Sequence, residues 1–165
     1  MQRLVIASAN AGKVREIEQL LRGLPYQPVS QASLGVRSPE ETEDTFLGNA
    51  LIKARHAAAA TGLAALADDS GIEVDALGGA PGVHSARFAG ADASDADNNA
   101  KLVAALAGVE GAARSARYRC VLVLVEHASD SSPLVAQASW EGLILDSPRG
   151  TGGFGYDPYF WVPEL

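Results

Sequence analysis

An α/β domain is what this sequence predicts, and three observations predict it. Leu63-Ala64-Ala65-Leu66-Ala67 is an apolar run that ends in Asp68-Asp69-Ser70-Gly71. A short, continuous apolar run closed by turn residues reads as a strand buried on both faces. Leu4-Val5-Ile6-Ala7 is a second such strand, and it leads through a small polar loop into Val14, Ile17, Leu20 and Leu21 at helical spacing. Further helical stripes then alternate with β-type segments along the rest of the chain.

At 165 residues the chain has the length of one domain with a real core. Its net charge of −7 argues against a nucleic-acid polymer or an anionic membrane as partner, since both call for a basic surface. A small polyphosphate remains compatible, because a metal and a few lysines can meet its charge locally. The sole cysteine, Cys120, sits in the apolar stretch Tyr118–Val123 and reads as a buried structural thiol. No apolar run reaches membrane-spanning length, and the N-terminus lacks the charged start and cleavage site of a signal peptide. Together these point to a cytoplasmic protein.

Taken in order, the Leu4–Ala7 strand opens into Ser8-Ala9-Asn10-Ala11-Gly12-Lys13. Strand, small polar loop and helix with a first-turn lysine is a phosphate-site layout, because loop amides and a helix start attract an anion and Lys13 adds a point charge. The competing reading is a plain βα turn with a solvated lysine; the second glycine and the Ser/Thr of a Walker A loop are absent. Gly23 and Pro25 stop the helix, and Tyr26–Ser30 reads as an edge strand. Ser38–Thr45 is an acidic, turn-rich loop, with Thr45 or Asp44 capping a helix whose stripe is Phe46, Asn49, Ala50, Lys53, Ala54, Ala57 and Ala58. Glu40 and Glu41 are either solvated or hard oxygen ligands for Mg²⁺, and Lys53 faces either solvent or a phosphate.

Asp68 and Asp69 then stand at the expected end of the central strand. Adjacent residues of an extended segment point to opposite sides, so the two acids share one Mg²⁺ only if the backbone bends, for which Gly71 is suited. The competing reading is an ordinary strand-end turn. Ile72–Asp75 alternates in the β sense, and Gly78–Gly82 is a loop needing unusual backbone angles. His84 has no partner at metal-ligand spacing. Ser94 caps a helix from Asp95 to Ala107 with Leu102, Val103 and Leu106 inward, and Arg117–Glu126 with Leu134–Leu145 reads as a long hairpin. Gly150–Pro158 carries four glycines, two aromatics and an acid. It is either a glycine-rich turn or a loop that approaches a ligand closely, with a ring stacked on a base.

In combination these parts describe an enzyme that holds a triphosphate with Mg²⁺, and here the chain resembles the bacterial inosine/xanthosine triphosphate pyrophosphatases. The matching residues are Ser8–Lys13, Glu40-Glu41-Thr42 with Thr45-Phe46 and Asn49-Ala50, Ala67–Gly71, Leu77–Gly82 with Ser85-Ala86-Arg87, and Gly152–Pro158. The resemblance implies a long, mixed, twisted sheet flanked by helices, two lobes with a central cleft, and a homodimer. It implies that residues 1–165 form a single nucleoside triphosphate pyrophosphatase domain. By the same resemblance Ser8, Ala9, Asn10, Ala11, Gly12 and Lys13 hold the phosphates with help from Lys53, and Asp69 is proton acceptor and magnesium ligand. Glu40 is the foremost second metal contact, with Glu41 and Asp68 as alternatives. Ser70 touches substrate, and Phe154, Gly155, Tyr156 and Asp157 line base and sugar.

The implied reaction is attack of water on the α-phosphorus of ITP, dITP or XTP, giving the monophosphate and pyrophosphate and cleansing the nucleotide pool. The family continues past this point with a lysine, a Ser-His-Arg segment and a final helix, so the resemblance implies a chain truncated at its C-terminus. Two other readings are a Mg²⁺-dependent phosphomonoesterase with Asp68 or Asp69 as nucleophile, and a nucleotide-sensing module without turnover.

Overall fold

The computed structural model describes residues 1–163. Six strands form one mixed sheet in the order β2-β1-β3-β4-β5-β6. The strands are β1 (Gln2–Ile6), β2 (Tyr26–Ser30), β3 (Ala64–Val74), β4 (Ser115–Val125), β5 (Leu134–Ile144) and β6 (Phe160–Trp161). Three α-helices accompany them: α1 (Ala11–Leu20), α2 (Phe46–Thr61) and α3 (Asp95–Ala105). β1 pairs in parallel with β2 and with β3, whereas β5 and β6 are antiparallel. The expected edge strand is β2, and Leu4–Ile6 lies between two neighbours and is fully buried. No described helix is long and apolar enough to cross a membrane.

The chain divides into two compact units, Met1–Asp69 with Val121–Gln137, and Ser70–Cys120 with the chain from Ala138. The division falls inside β3, between Asp69 and Ser70. In the first unit, the buried side of α2 is Phe46, Asn49, Ala50, Lys53, Ala54, Ala57 and Ala58, the stripe read from spacing. Thr45 is its N-cap, accepting from the Gly48 amide at 3.0 Å, so the hydroxyl serves rather than Asp44. The helix α1 buries only Ile17, and Leu20 is exposed.

In the second unit Ile72, Val74, Leu102, Leu106, Ala116, Ile144 and Tyr156 form the buried cluster. A capping box at Ser94 and Asp97 starts α3. Arg114 ends it: its guanidinium donates to the carbonyls of Leu106 and Val109 at 3.2 and 2.9 Å, and to that of Ile144 at 2.6 Å. A cation there answers the exposed carbonyls of a helix C-terminus. Val103 is half-buried rather than inward. The expected backbone irregularity of Gly78–Gly82 is present, with φ of +65°, +93° and +56° at Gly78, Gly79 and Gly82. His84 is exposed in a 3₁₀ turn, and Cys120 is half-buried in β4 rather than buried.

Two expectations fail at the centre of the chain. The strand does not end at Asp68-Asp69; β3 runs eleven residues, straight through both acids, Ser70 and Gly71 to Val74. Gly71 therefore makes no bend. Turn-forming composition is overridden because the apolar alternation resumes at Ile72 and Val74, which are both fully buried.

The antiparallel edge gives a direct test. A Cβ on Gly142 would lie 2.6 Å from both the Phe160 ring and the Trp161 carbonyl. Gly142→Ala should thus cost about 1–3 kcal/mol through overpacking. Urea denaturation should show a lowered midpoint with an unchanged slope.

Candidate functional site

The loop after β1 is built by its own side chains. Ser8 Oγ accepts from the Asn10 amide at 3.2 Å, and Asn10 Oδ1 accepts from the amides of Gly12 and Lys13 at 2.9 and 3.2 Å. Asn10 is thereby the N-cap of α1, so two of the helix-start amides expected to face an anion are already satisfied. The Lys13 ammonium reaches β3, where it meets Asp68 Oδ2 at 2.7 Å. A first-turn lysine is unfavourable for the helix dipole, and the buried carboxylate opposite is what holds it there.

Asp69, the next residue of β3, has a different partner. Lys53 on α2 donates to Asp69 Oδ1 at 3.1 Å and stands 3.2 Å from Glu41 Oε1. Both members are nearly closed to solvent, with side-chain exposures of 9% for Lys53 and 7% for Asp69. Neighbouring carboxylates on one strand thus have their nearest cations on two different helices. Asp69 Oδ2 is buried and has no hydrogen-bond partner among the described residues.

The electrostatics follow from that burial. Burial pushes the Asp69 carboxyl above its ordinary value; Lys53 pulls it back, Glu41 pushes it further up, and the net shift is upward. For Lys53, burial alone would lower the ammonium, but Asp69, Glu41 and Asp68 outweigh it and raise it. The lysine therefore stays charged, while Asp69 is a stronger base than a solvated aspartate.

Glu41, rather than Glu40, is the acid that reaches this lysine; Glu40 is exposed. Among the described residues no three His, Cys, Asp or Glu side chains converge as a metal site. Ser70 follows Asp69 in β3 and is half-buried.

The glycine-rich loop belongs to the second unit. Asp157 closes it, its Oδ2 accepting from the Phe154 amide at 3.0 Å and its Oδ1 from the Tyr118 hydroxyl at 2.8 Å. That carboxylate occupies the space a Cβ on Gly153 would need, and Gly153 has φ of +77°. Tyr156 is buried and donates to the Ser85 carbonyl at 2.6 Å. Gly155 is held at both polar atoms, by Asp95 Oδ2 on its amide at 2.8 Å and by Asn99 Nδ2 on its carbonyl at 2.9 Å. Phe154 is the aromatic left half-exposed, on the wall of a cavity of about 440 Å³ that Asn99, Gly150–Gly155 and Tyr159 also line. Of the two rings read as base contacts, one is a core residue.

Sequence reasoning missed Asn49, Asp95, Asn99 and Tyr118. For Asn49 a signal existed: it and Lys53 are polar residues four apart on an otherwise apolar helical face. For Asp95, Asn99 and Tyr118 no local pattern announces the partner, which lies more than thirty residues away in each case.

The match to known proteins is decisive about kinship. The Ham1 family model fits residues 4–165. The chain belongs to the Ham1 family. Among curated relatives, the dITP/XTP pyrophosphatase of Methylococcus capsulatus is 58% identical over 162 residues, covering 98% of this chain and 81% of that protein. That of Yersinia pseudotuberculosis is 56% identical, covering 100% of this chain and 84% of the other. Among solved structures, a HAM1 protein from Coxiella burnetii superposes with a TM-score of 0.91 at 48% identity, covering 99% of this chain and 83% of that one. The Staphylococcus aureus Ham1 protein gives 0.84 at 37%, covering 99% and 82%. Membership of the Ham1 family confirms the resemblance read from the motifs, and with it the α/β class.

Removing Lys53 should expose how much Asp69 depends on it. Lys53→Met leaves a buried carboxylate without its nearest cation, a loss of about 3–5 kcal/mol. The Asp69 carboxyl is already raised in the folded state, so its contribution to stability is greatest at low pH and is lost as pH rises through its folded value. The variant raises that value further. Its deficit against the parent should therefore widen as pH rises above the ordinary carboxylate range, as urea unfolding at each pH would show.

Proposed function

We propose that this Ham1-family chain hydrolyses non-canonical purine nucleoside triphosphates (ITP, dITP and XTP) to the monophosphate and pyrophosphate, with Asp69 as the proton acceptor. The observation that carries the proposal is the buried Asp69–Lys53–Glu41 group, in a chain more than half identical to dITP/XTP pyrophosphatases. A water oxygen bonds to the α-phosphorus, the bond from that phosphorus to the β-bridging oxygen breaks, and the water's proton passes to Asp69. Pyrophosphate leaves. The raised Asp69 carboxyl favours this role, since a base is more effective as its pKa approaches the working pH.

Lys13 and Lys53 supply the cationic charge for the phosphates, in the loop Ser8–Lys13 and on α2. Phosphate oxygens arriving there would compete with Asp68 and with Asp69 or Glu41 for each ammonium. Mg²⁺ is the cofactor proposed, and the donor chemistry suits it: Asp69 Oδ2 is a buried hard oxygen without a hydrogen-bond partner among the described residues. Glu41 is favoured as the second carboxylate over Glu40 and Asp68. One or two carboxylates suffice for Mg²⁺, which otherwise keeps water and substrate phosphates as ligands. Once bound, the ion would acidify the attacking water and offset phosphate charge.

Ser70 is proposed to touch substrate beside Asp69, and Phe154 to stack on the base. Gly155, Tyr156 and Asp157 would contribute to the base and sugar site chiefly by fixing the Phe154 loop. Residues 1–165 would act as one pyrophosphatase domain, in the cytoplasm and as a homodimer. The exposed Trp140 and Trp161 offer apolar surface to a second copy.

Incubation with ITP and Mg²⁺ in heavy-oxygen water should yield labelled IMP and unlabelled pyrophosphate. IDP with inorganic phosphate would contradict the proposal, and tight binding without turnover would favour a sensing module. In the Mg²⁺-free protein the Asp69 carboxyl should titrate above the ordinary carboxylate range near ~4, as carboxyl-carbon NMR would show. A titration at or below that value would contradict the raised carboxyl.

A further inference from the structure

We propose that Asn49 is a positioning residue that sets the Glu41 carboxylate by clamping the backbone of Glu43; this rests on Asp69, Lys53 and Glu41 being the reaction site. Asn49 has no exposed surface, and both ends of its amide serve one residue. Its Oδ1 accepts from the Glu43 amide at 2.9 Å, and its Nδ2 donates to the Glu43 carbonyl at 3.0 Å. Only a side chain that both donates and accepts closes that pair. An ionised aspartate of the same shape would face the carbonyl with a second acceptor.

The neighbours of Asn49 are fitted to the same contact. A Cβ on Gly48 would stand 2.7 Å from both Cβ and Cγ of Glu43, so only glycine lets the loop lie this close to α2. Thr45, at the end of the loop, caps the Gly48 amide. Residues 36–43 have no regular secondary structure, so no ladder of strand or helix bonds fixes Glu41. Near its start the segment is tied by Gln31, which donates to Ser38 Oγ at 2.7 Å, and by His56, which meets the Arg37 carbonyl at 2.9 Å. Around Glu41, two of the points that hold it lie on one face of α2. Asn49 grips Glu43, and one turn further on Lys53 meets Glu41. Loosening the first point lets the glutamate leave the second, and Lys53 and Asp69 lose the acid that completes the group.

The test is a double-mutant cycle on kcat/KM for ITP with Mg²⁺, with thermal unfolding measured on each variant. Glu41→Gln and Asn49→Ala should each lose activity by about tenfold or more, and the double variant should be no worse than Glu41→Gln within about twofold, as expected for groups that act through one another. Gly48→Ala keeps every polar group, and the better helix former in α2 offsets part of the crowding against Glu43, so it should fold and still show the Asn49→Ala loss. Should Asn49→Ala fail to fold, Gly48→Ala with Glu41→Gln completes the same cycle. An impaired Glu41→Gln whose loss multiplies with that of Asn49→Ala or Gly48→Ala would overturn the positioning role alone. A fully active Glu41→Gln would overturn both that role and the underlying reading of the site.

Discussion

Two charges buried next to each other in one strand are the constraint on which the first unit depends. Asp68 and Asp69 lie mid-strand with exposures of 4% and 5%, on a β3 that runs unbroken past both. A carboxylate removed from water costs several kcal/mol unless a cation and hydrogen bonds meet it. Each acid has its own nearest lysine, and Lys53 also feels the charge of Asp68. The fold answers with two helices, α1 bringing Lys13 to Asp68 and α2 bringing Lys53 to Asp69. Hydrophobic burial alone would be better served by replacing all four residues, which makes this charge arrangement a cost retained for the site rather than for stability.

That arrangement also separates two roles that look alike in sequence. Asp68 faces a half-exposed lysine at the start of a helix, in the loop read as the phosphate site. Asp69 faces a buried lysine and a second acid; burial raises its carboxyl above the ordinary value, and Lys53 only partly pulls it back. The loop bearing Glu41 is fastened to the same helix face that carries Lys53, and the glycine-rich loop of the second unit is fastened by Asp157, Asp95 and Asn99. In both loops a buried or capping amide or carboxylate replaces the regular bonding that irregular backbone lacks.

Much of this was legible in the sequence. The α2 face, its Thr45 cap, the Ser94 cap, the edge strand and the two long β segments followed from periodicity and capping chemistry, which are local. What failed was non-local. Turn-like Asp-Asp-Ser-Gly was read as the end of a strand, yet the apolar residues on either side carry the sheet through it. Val14, Ile17, Leu20 and Leu21 share a helical spacing, yet of these only Ile17 is buried and Leu20 is exposed. Glu40 and Glu41 are adjacent, and only the three-dimensional path of the loop distinguishes the one beside Lys53. Tyr156 was read as a base contact because a ring in a glycine-rich loop suggests stacking; its hydroxyl instead finds a carbonyl seventy-one residues away.

The central claim is that Asp69 acts in the reaction while Asp68 serves the charge of Lys13. Steady-state kinetics of Asp68→Asn and Asp69→Asn, measured side by side with ITP and Mg²⁺, test it most directly. Asp69→Asn should lose kcat by about 10²-fold or more with nucleotide affinity held within about tenfold, whereas Asp68→Asn should act mainly on KM. Equal losses of kcat, or a catalytically intact Asp69→Asn, would contradict it.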